Sequence, residues 1–295
     1  MENFNGIYGG GPFLEKANLQ ELKSSTFNSV VCWAIHVDSN GDLNLNGTPI
    51  CTGGKYSGPA DWPGFLAEMF EPQTTVTNLL FSIGGWEATD FQNMGKLIVK
   101  HGTGPANPLY QNFKVLKETI PQLTTIDFDY EGPLPYDKAL ILPIATMLYD
   151  LGYVVTFCPY EEPAFWISCL KELGEKVVKG FNLQCYAGGA GNASAQALMD
   201  YWITPLATAM GWKVDKAASF IRPGLWCKHG DNCTEGQCPE EIQAELASWK
   251  SAIPGLTGGW IYLYANILSC ESSGSCNSQP MGPRDYAQAV IQGLA

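Results

Sequence analysis

The chain has 295 residues, a formal net charge of -12 at pH 7 and a hydrophobic fraction of 45%. With only 17 lysines and arginines it lacks the basic surface that a phosphate backbone requires, so we exclude nucleic acid as a partner. We find neither an apolar run long enough to span a bilayer nor a secretory signal pattern in the first residues, and we expect no membrane partner. We expect a globular monomer whose partner is neutral or cationic.

Short β-rich runs alternate with amphipathic stretches along the whole chain. The predicted strands cover residues 6–9, 29–37, 78–83, 125–131, 153–158, 181–186, 221–226 and 260–264. The predicted helices cover residues 14–23, 62–70, 90–100, 112–119, 136–151, 164–179, 193–210, 240–251 and 284–293.

Eight alternating β and α segments predict a (β/α)8 TIM barrel that forms one domain over residues 1–295, because parallel strands need crossover connections. A doubly wound open sheet is the alternative. It receives no support from a G-x-G-x-x-G turn after the first strand. In the barrel, functional side chains are expected at the carboxyl ends of the strands.

Three carboxylates occupy alternate positions on the fourth predicted strand: Asp127, Asp129 and Glu131. Period two is the alternation of a β-strand, so all three side chains leave one face, about 6 to 7 Å apart in sequence order. Burial of such a row is costly for a merely structural strand, although an exposed edge strand is the alternative. We expect the trio to titrate as a coupled set in which the neighbours' charges raise the pKa of Glu131, as a general acid requires.

Other predicted strand ends carry polar and aromatic side chains that point to the same rim of the barrel. Gln184 and Tyr186 share one face of the sixth strand and can donate hydrogen bonds inward. Trp260 offers a flat ring for a sugar, although such a tryptophan also suits a core. The loop at 38–47 is a predicted hairpin at this rim.

Ten cysteines indicate an oxidising compartment, so we expect a secreted or extracellular protein. Cys270 and Cys276 flank a short polar loop, and a second cysteine cluster lies at 227–238, which together favour short disulfides that staple loops. A zinc site is the alternative, although the spacing fits no standard pairing. Its ligands would be Cys227, His229, Cys233 and Cys238.

The fourth-strand motif resembles that of the family 18 glycoside hydrolases, which comprise chitinases and endo-β-N-acetylglucosaminidases. Their signature there is DxxDxDxE, and residues 124–131 read T-T-I-D-F-D-Y-E, with the last three acids matching. Their strand-three signature, SxGG, matches residues 82–86, which read S-I-G-G-W. Matches at strand ends extend the resemblance over the chain, at Tyr8, Pro159, Tyr186 and Trp260.

The resemblance implies a hydrolase without a metal or cofactor, in which the N-acetyl oxygen of the substrate attacks the anomeric carbon and configuration is retained. Glu131 would protonate the glycosidic oxygen and later activate water. Asp129 would hold the acetamide N–H. Asp127 would take up the shared proton, with hydrogen bonds from Tyr8 and Ser82.

The same resemblance implies the sugar contacts. Tyr186 would bind the acetamide carbonyl oxygen, Trp260 would lie beneath the sugar at the cleavage point, and Trp86 would stack on the leaving-group side. The expected activity is that of a retaining endo-chitinase acting on β-1,4-linked N-acetylglucosamine. The alternatives are an endo-β-N-acetylglucosaminidase of N-glycan cores and a chitinase-like lectin that binds without cutting.

Three positions depart from the family pattern. Thr124 replaces an inner acid, Ala187 follows the strand-six tyrosine where Asn or Asp is common, and Gly132 replaces an aromatic residue. About 33 residues separate Trp226 from Trp260, too few for the α+β insertion that walls the groove of many members. We therefore expect a shallower, open cleft.

Overall fold

A computed structural model describes residues 3–132, 134–186, 188, 190–276 and 281–295. Eleven strands are present in this part of the chain. They are β1 Phe4–Gly9, β2 Ser29–Val37, β3 Leu43–Leu45, β4 Thr48–Thr52, β5 Lys55–Tyr56, β6 Asn78–Trp86, β7 Leu123–Glu131, β8 Val154–Phe157, β9 Val178–Gln184, β10 Ile221–Trp226 and β11 Gly258–Tyr262.

Helices follow most of the barrel strands. They are α1 Lys16–Ser24, α2 Trp62–Glu68, α3 Asp90–His101, α4 Pro108–Thr119, α5 Lys138–Asp150, α6 Pro163–Leu173, α7 Ala195–Ala197, α8 Thr204–Met210, α9 Val214–Ala218, α10 Pro239–Ala252, α11 Tyr264–Cys270 and α12 Pro283–Gly293. Within the described residues, no helix has the length and apolar character needed to cross a membrane.

Eight parallel strands close into a barrel in the order β1, β2, β6, β7, β8, β9, β10, β11, because β1 pairs with both β2 and β11. This confirms the predicted (β/α)8 fold, and each of the eight predicted strands overlaps an observed one. Between β10 and β11 the chain forms two isolated β-bridges, a short 3-10 turn and α10, so the α+β insertion is absent from this fully described connection.

Two predicted helices end or break earlier than expected. Residues 164–179 were predicted as one helix, but α6 ends at Leu173 because Gly174 follows with φ of 79°, and β9 begins at Val178. Residues 193–210 are divided into α7, a π-helical segment Leu198–Ile203 and α8, in which Pro205 lacks the N–H that would continue the helical ladder.

The predicted hairpin at 38–47 is confirmed, because the chain turns at residues 38–42 and β2 pairs antiparallel with β3. A second hairpin follows it. Strands β3 and β4 pair antiparallel across Asn46 and Gly47, which both have positive φ as a tight hairpin turn requires. With β5 they extend the sheet from β2 along the barrel rim. Asn46 thereby reaches the mouth of the barrel, where its side chain contacts the backbone of Trp33 and Ala34.

The molecule has two distinct interiors. The larger one packs aliphatic and aromatic side chains between the sheet and the surrounding helices. The smaller one lies inside the barrel, and its apolar members are Phe4, Tyr8, Val31, Leu80, Cys158 and Trp260. Because this second cluster is small, polar side chains fill the rest of the barrel interior and need hydrogen-bond partners there.

The disulfides join two loops rather than stapling each loop to itself. Cys233 pairs with Cys270 and Cys238 pairs with Cys276, so the loop after β10 is tied to the loop after β11. The predicted short bridges within each cluster are therefore wrong. The zinc alternative fails as well, because two of its four ligands are bonded elsewhere, while Cys227 remains a buried free thiol.

We expect the Cys233→Ser/Cys270→Ser double variant to lose about 2 to 3 kcal/mol of unfolding free energy, because the remaining Cys238–Cys276 bridge already joins the same two loops and the removed bridge closes only a short additional ring. Chemical denaturation of the two proteins measures this loss. Cys169→Ser, at a buried free thiol on α6, serves as the control for cysteine replacement. A double variant with the same midpoint as the wild type would contradict the prediction.

Candidate active site

The acid row lies on β7 and faces the barrel interior. Parallel pairing with β6 sets Ser82 beside Asp127, Gly84 beside Asp129 and Trp86 beside Glu131. Asp127 is fully buried and Asp129 nearly so, whereas Glu131 is half-buried at the mouth. The row therefore runs from the barrel interior to the cleft, which excludes the exposed edge strand considered from the sequence.

Asp127 is an acceptor with all four lone-pair directions in use. Its Oδ2 accepts from Tyr8 Oη at 2.9 Å and from Ser82 Oγ at 2.7 Å. Its Oδ1 accepts from Thr156 Oγ1 at 2.5 Å and from Asn182 Nδ2 at 2.9 Å. Burial raises the pKa of Asp127 and these four hydrogen bonds oppose that rise. Burial is the larger effect, so the pKa of Asp127 lies above its ordinary value, while the four donors favour the ionised form.

Asp129 accepts hydrogen bonds from two side chains that neighbour the cleft. Trp33 Nε1 donates to its Oδ2 at 2.7 Å and Gln184 Nε2 donates to its Oδ1 at 2.9 Å. Burial, followed by the charge of Glu131, raises the pKa of Asp129 well above its ordinary value. Asp129 is therefore paired with Glu131 rather than with Asp127.

Glu131 shares a donor with Asp129, because Gln184 Nε2 also lies 3.1 Å from Glu131 Oε1. Burial raises the pKa of Glu131, and hydrogen bonds with Gln184 and Asp129 oppose the rise. The predicted direction is confirmed with burial as the leading cause, and the repulsion between the two acids raises the pKa of its partner Asp129. A carboxyl whose protonated form is favoured by burial suits a proton donor.

We expect Asp129→Asn to gain stability relative to the wild type as pH rises. The raised pKa means that the folded wild type resists ionisation of this carboxyl, so it loses stability from the ordinary pKa up to the raised one. Asparagine does not ionise, and the difference in unfolding free energy should therefore move in favour of the variant by about 1 kcal/mol or more between pH 4 and pH 8.

Denaturant titrations at several pH values measure this difference, with Asp127→Asn as the matched comparison. In Asp127→Asn the new amide nitrogen is a donor and would face the donors that now bond the carboxylate. We therefore expect this variant to lose about 2 kcal/mol of unfolding free energy. Parallel pH curves for wild type and Asp129→Asn would contradict the prediction.

A cavity of about 510 Å³ opens above the acid row. Its wall combines the two outer acids with aromatic and polar side chains, and His36 is the one basic residue among those that line it. The lining residues are Tyr8, Trp33, Ala34, His36, Asn46, Gly84, Gly85, Trp86, Ala88, Asp129, Glu131, Cys158, Tyr160, Gln184, Tyr186, Trp226, Trp260 and Tyr262.

The tryptophan expected beneath a sugar lies at the base of the cavity. Trp260 is only 1% exposed, its ring centroid lies 4.2 Å from that of Tyr8, and its Nε1 donates to the carbonyl oxygen of Arg222 at 3.0 Å. Gly224 is required beside it, because a Cβ there would lie 2.0 Å from the indole. Trp260 is therefore fixed at the base of the cavity that it lines, and its contact with a sugar stays a prediction.

Tyr262 occupies the position nearer the mouth on the same face of β11, two residues after Trp260. Its ring stacks on that of Tyr186 with a centroid distance of 5.2 Å and an interplanar angle of 16°. Tyr186 itself lies just beyond β9, which ends at Gln184, so the predicted strand end is two residues too long. These two tyrosines form the aromatic wall beside Glu131.

Trp86 stands at the rim with 70% of its surface exposed, and its ring lies 6.3 Å from that of Tyr160. An exposed tryptophan at the mouth of a cavity can stack on a bound ring. Thr124, which departs from the family pattern, is exposed at the beginning of β7. It lies far along the strand from Glu131. Ala187 lies outside the described residues.

Sequence reasoning missed several residues of the site, namely Trp33, Thr156, Asn182, Arg222 and Tyr262. Thr156 on β8 and Asn182 on β9 point into the barrel. Counting every second residue along the predicted strands would have indicated this. Nothing in the spacing signals that Trp33 donates to Asp129, because the contact joins side chains 96 positions apart.

The fold is shared with solved chitinase structures. A family GH18 chitinase from the fern Peteris ryukyuensis has a TM-score of 0.59 at 16% identity, with 98% of each chain covered. A GH18 chitinase from Pseudoalteromonas aurantia has a TM-score of 0.64 at 15% identity, covering 98% of this chain and 99% of the other.

A third structure, an Ostrinia furnacalis Group IV chitinase in complex with allosamidin, has a TM-score of 0.55 at 12% identity, with 97% of each chain covered. A scan against protein families found no match. No curated protein matched either. At these identities the likeness establishes the common (β/α)8 fold over nearly the whole chain.

Proposed function

We propose that this protein is a glycoside hydrolase of the family 18 type that cleaves β-1,4-linked N-acetylglucosamine polymers within the chain and retains anomeric configuration. The observation that carries the proposal is the graded acid row, in which a half-buried Glu131 with raised pKa stands at the cleft beside a buried Asp129. The fold of solved chitinases supports the substrate class.

In the first step Glu131 donates its proton to the glycosidic oxygen as the bond from that oxygen to the anomeric carbon breaks. The acetamide carbonyl oxygen of the substrate attacks the same carbon and forms a cyclic oxazolinium ion. Asp129 accepts a hydrogen bond from the acetamide N–H as positive charge develops there. The orientation of Asp129 towards Glu131, held by Trp33 and Gln184, suits this task.

In the second step the Glu131 carboxylate takes a proton from water, the resulting hydroxide adds to the anomeric carbon, and the ring of the oxazolinium ion opens. Two inversions restore the original configuration. Tyr186 binds the acetamide carbonyl oxygen, Trp260 lies beneath the sugar with Tyr262 nearer the mouth, and Trp86 stacks on the leaving-group side. Asp127 stays ionised below the reacting pair.

We also propose that residues 1–295 act as one catalytic domain, as a monomer outside the cell. The two disulfides that join the rim loops support an oxidising compartment. The absence of the insertion between β10 and β11 supports an open cleft that admits a chain at an internal position.

Incubation with N-acetylglucosamine oligomers, followed by analysis of product anomers, tests the proposal. We expect β-anomers to form first. Products of inverted configuration would exclude the substrate-assisted route, and binding without any product would indicate a lectin. A glycoprotein substrate tested in parallel separates chitinase activity from cleavage of N-glycan cores.

A further inference from the structure

A half-buried cation lies at the inner end of the acid row. Arg222 on β10 pairs in register with Asn182 on β9, and its Nη1 donates to Asn182 Oδ1 at 3.3 Å. Its Nη2 donates to the carbonyl oxygen of Lys179 at 2.9 Å, and the guanidinium lies 4.2 Å from the centroid of the Phe4 ring. The side chain is thereby held on three sides inside the barrel.

This contact decides which way the Asn182 amide points. With Oδ1 turned to Arg222, Nδ2 faces Asp127 Oδ1 at 2.9 Å and Tyr8 Oη at 3.1 Å. The reversed amide would set its oxygen against the carboxylate and its N–H groups against the guanidinium, two repulsive contacts at once. An arginine at this position therefore obliges Asn182 to donate to Asp127.

The charges around Asp127 also indicate that Arg222 favours its ionised form. Tyr8 on β1, Ser82 on β6, Thr156 and Cys158 on β8, Asn182 on β9 and Asp129 on its own strand face it from the described part of the barrel. Among them only Asp129, Cys158 and Tyr8 titrate, and each would add negative charge. Arg222, which is attracted to Asp127, supplies the opposing positive charge.

We propose that Arg222 is a positioning residue that acts through Asn182 to keep Asp127 as the ionised, fourfold acceptor at the base of the acid row. Its catalytic consequence rests on the proposed hydrolase function. An ionised Asp127 favours retention of the shared proton by the Asp129 and Glu131 pair, where the reaction uses it.

The test follows the ionisation of Asp127 directly, in protein labelled with ¹³C at the aspartate carboxyl carbons. The Asp127 signal is identified by its absence from Asp127→Asn and titrated from pH 3 to pH 8. We expect Arg222→Met to move its titration to higher pH by about one unit. Arg222→Lys, which retains the charge, should shift it less.

Lys179→Gln is the matched control, because it removes a cation that lines the same small cavity at this end of the barrel but bonds the Glu175 carbonyl instead of Asn182. We expect its Asp127 titration to follow the wild type. Equal titrations in Arg222→Met and wild type would overturn the proposal. If circular dichroism shows that Arg222→Met does not fold, Asn182→Ala replaces it, with a shift in the same direction expected and an unchanged titration again contradicting the proposal.

The acid limb of the pH profile of kcat/KM on N-acetylglucosamine oligomers gives the catalytic readout. We expect this limb to move to higher pH in Arg222→Met by about the same amount as the Asp127 titration, since protonation of Asp127 withdraws its support from the reacting pair. A titration that shifts while the acid limb stays would overturn the catalytic role. If the wild type does not hydrolyse oligomers, the proposed function fails, while the carboxyl titration still decides the role of Arg222.

Discussion

Glu131→Gln is expected to lower the kcat for hydrolysis of N-acetylglucosamine oligomers by about a thousandfold, because the amide cannot donate the proton that the departing oxygen needs. Glutamine has nearly the same shape, and it can still contact Gln184 as glutamate does at 3.1 Å. Oligomer binding should therefore change by no more than about threefold, which corresponds to less than 1 kcal/mol.

Product release measured by chromatography gives kcat, and calorimetric titration of the variant gives the dissociation constant. Glu161→Gln is the matched control, since Glu161 lies in the loop after β8 but does not line the cavity. We expect its kcat to stay within about twofold of the wild type. Turnover by Glu131→Gln at the wild-type rate would refute the role of Glu131 as the acid.

Gly84→Ala is expected to lower the unfolding free energy by roughly 4 kcal/mol, more than an ordinary substitution does. Gly84 has a φ of 115°, and a Cβ at this position would lie 2.1 Å from the backbone oxygen of Asp129 on the paired strand. Relief of this overlap requires β6 and β7 to separate where the acid row passes from the interior to the cleft. Activity should fall together with stability.

Denaturant unfolding measures the loss, and Gly64→Ala provides the control. Gly64 lies within α2, its φ is not in the positive range, and no atom lies within 4 Å of an added Cβ. Alanine should therefore stabilise that helix by about 0.5 to 1 kcal/mol. Equal effects of the two substitutions would contradict the argument from local geometry.

The strands could be predicted from the sequence because successive side chains on each barrel strand face alternately the surrounding helices and the inside of the barrel. On β7 the residues Ile126, Phe128 and Tyr130 pack towards the helices, whereas the acids between them face into the barrel. Period two separates these faces without any knowledge of the partner strands. Helix ends were less readable where a single residue decides them, as Gly174 does for α6.

The partners of each acid were only partly readable. Tyr8 and Ser82 were expected at Asp127 from the resemblance and do donate to it. Trp33 and Asn182 were not expected, because their contacts depend on the closure of the barrel. The same limit applies to Trp260: residue type suggested a ring beneath a sugar, and only the closed barrel shows that this ring packs on Tyr8 at the base of the cavity.

The sequence alone determined the (β/α)8 alternation, the single face that carries Asp127, Asp129 and Glu131, and the direction of the Glu131 pKa shift. These follow from local periodicity, from the cost of burying charge and from the repulsion between neighbouring carboxylates. Only the tertiary structure decided that the cysteines bridge two loops, that Tyr262 rather than Trp260 lies nearer the cleft, and that Arg222 lies below the row. Each of these depends on which distant strands and loops become neighbours when the barrel closes, and spacing along the chain does not contain that information.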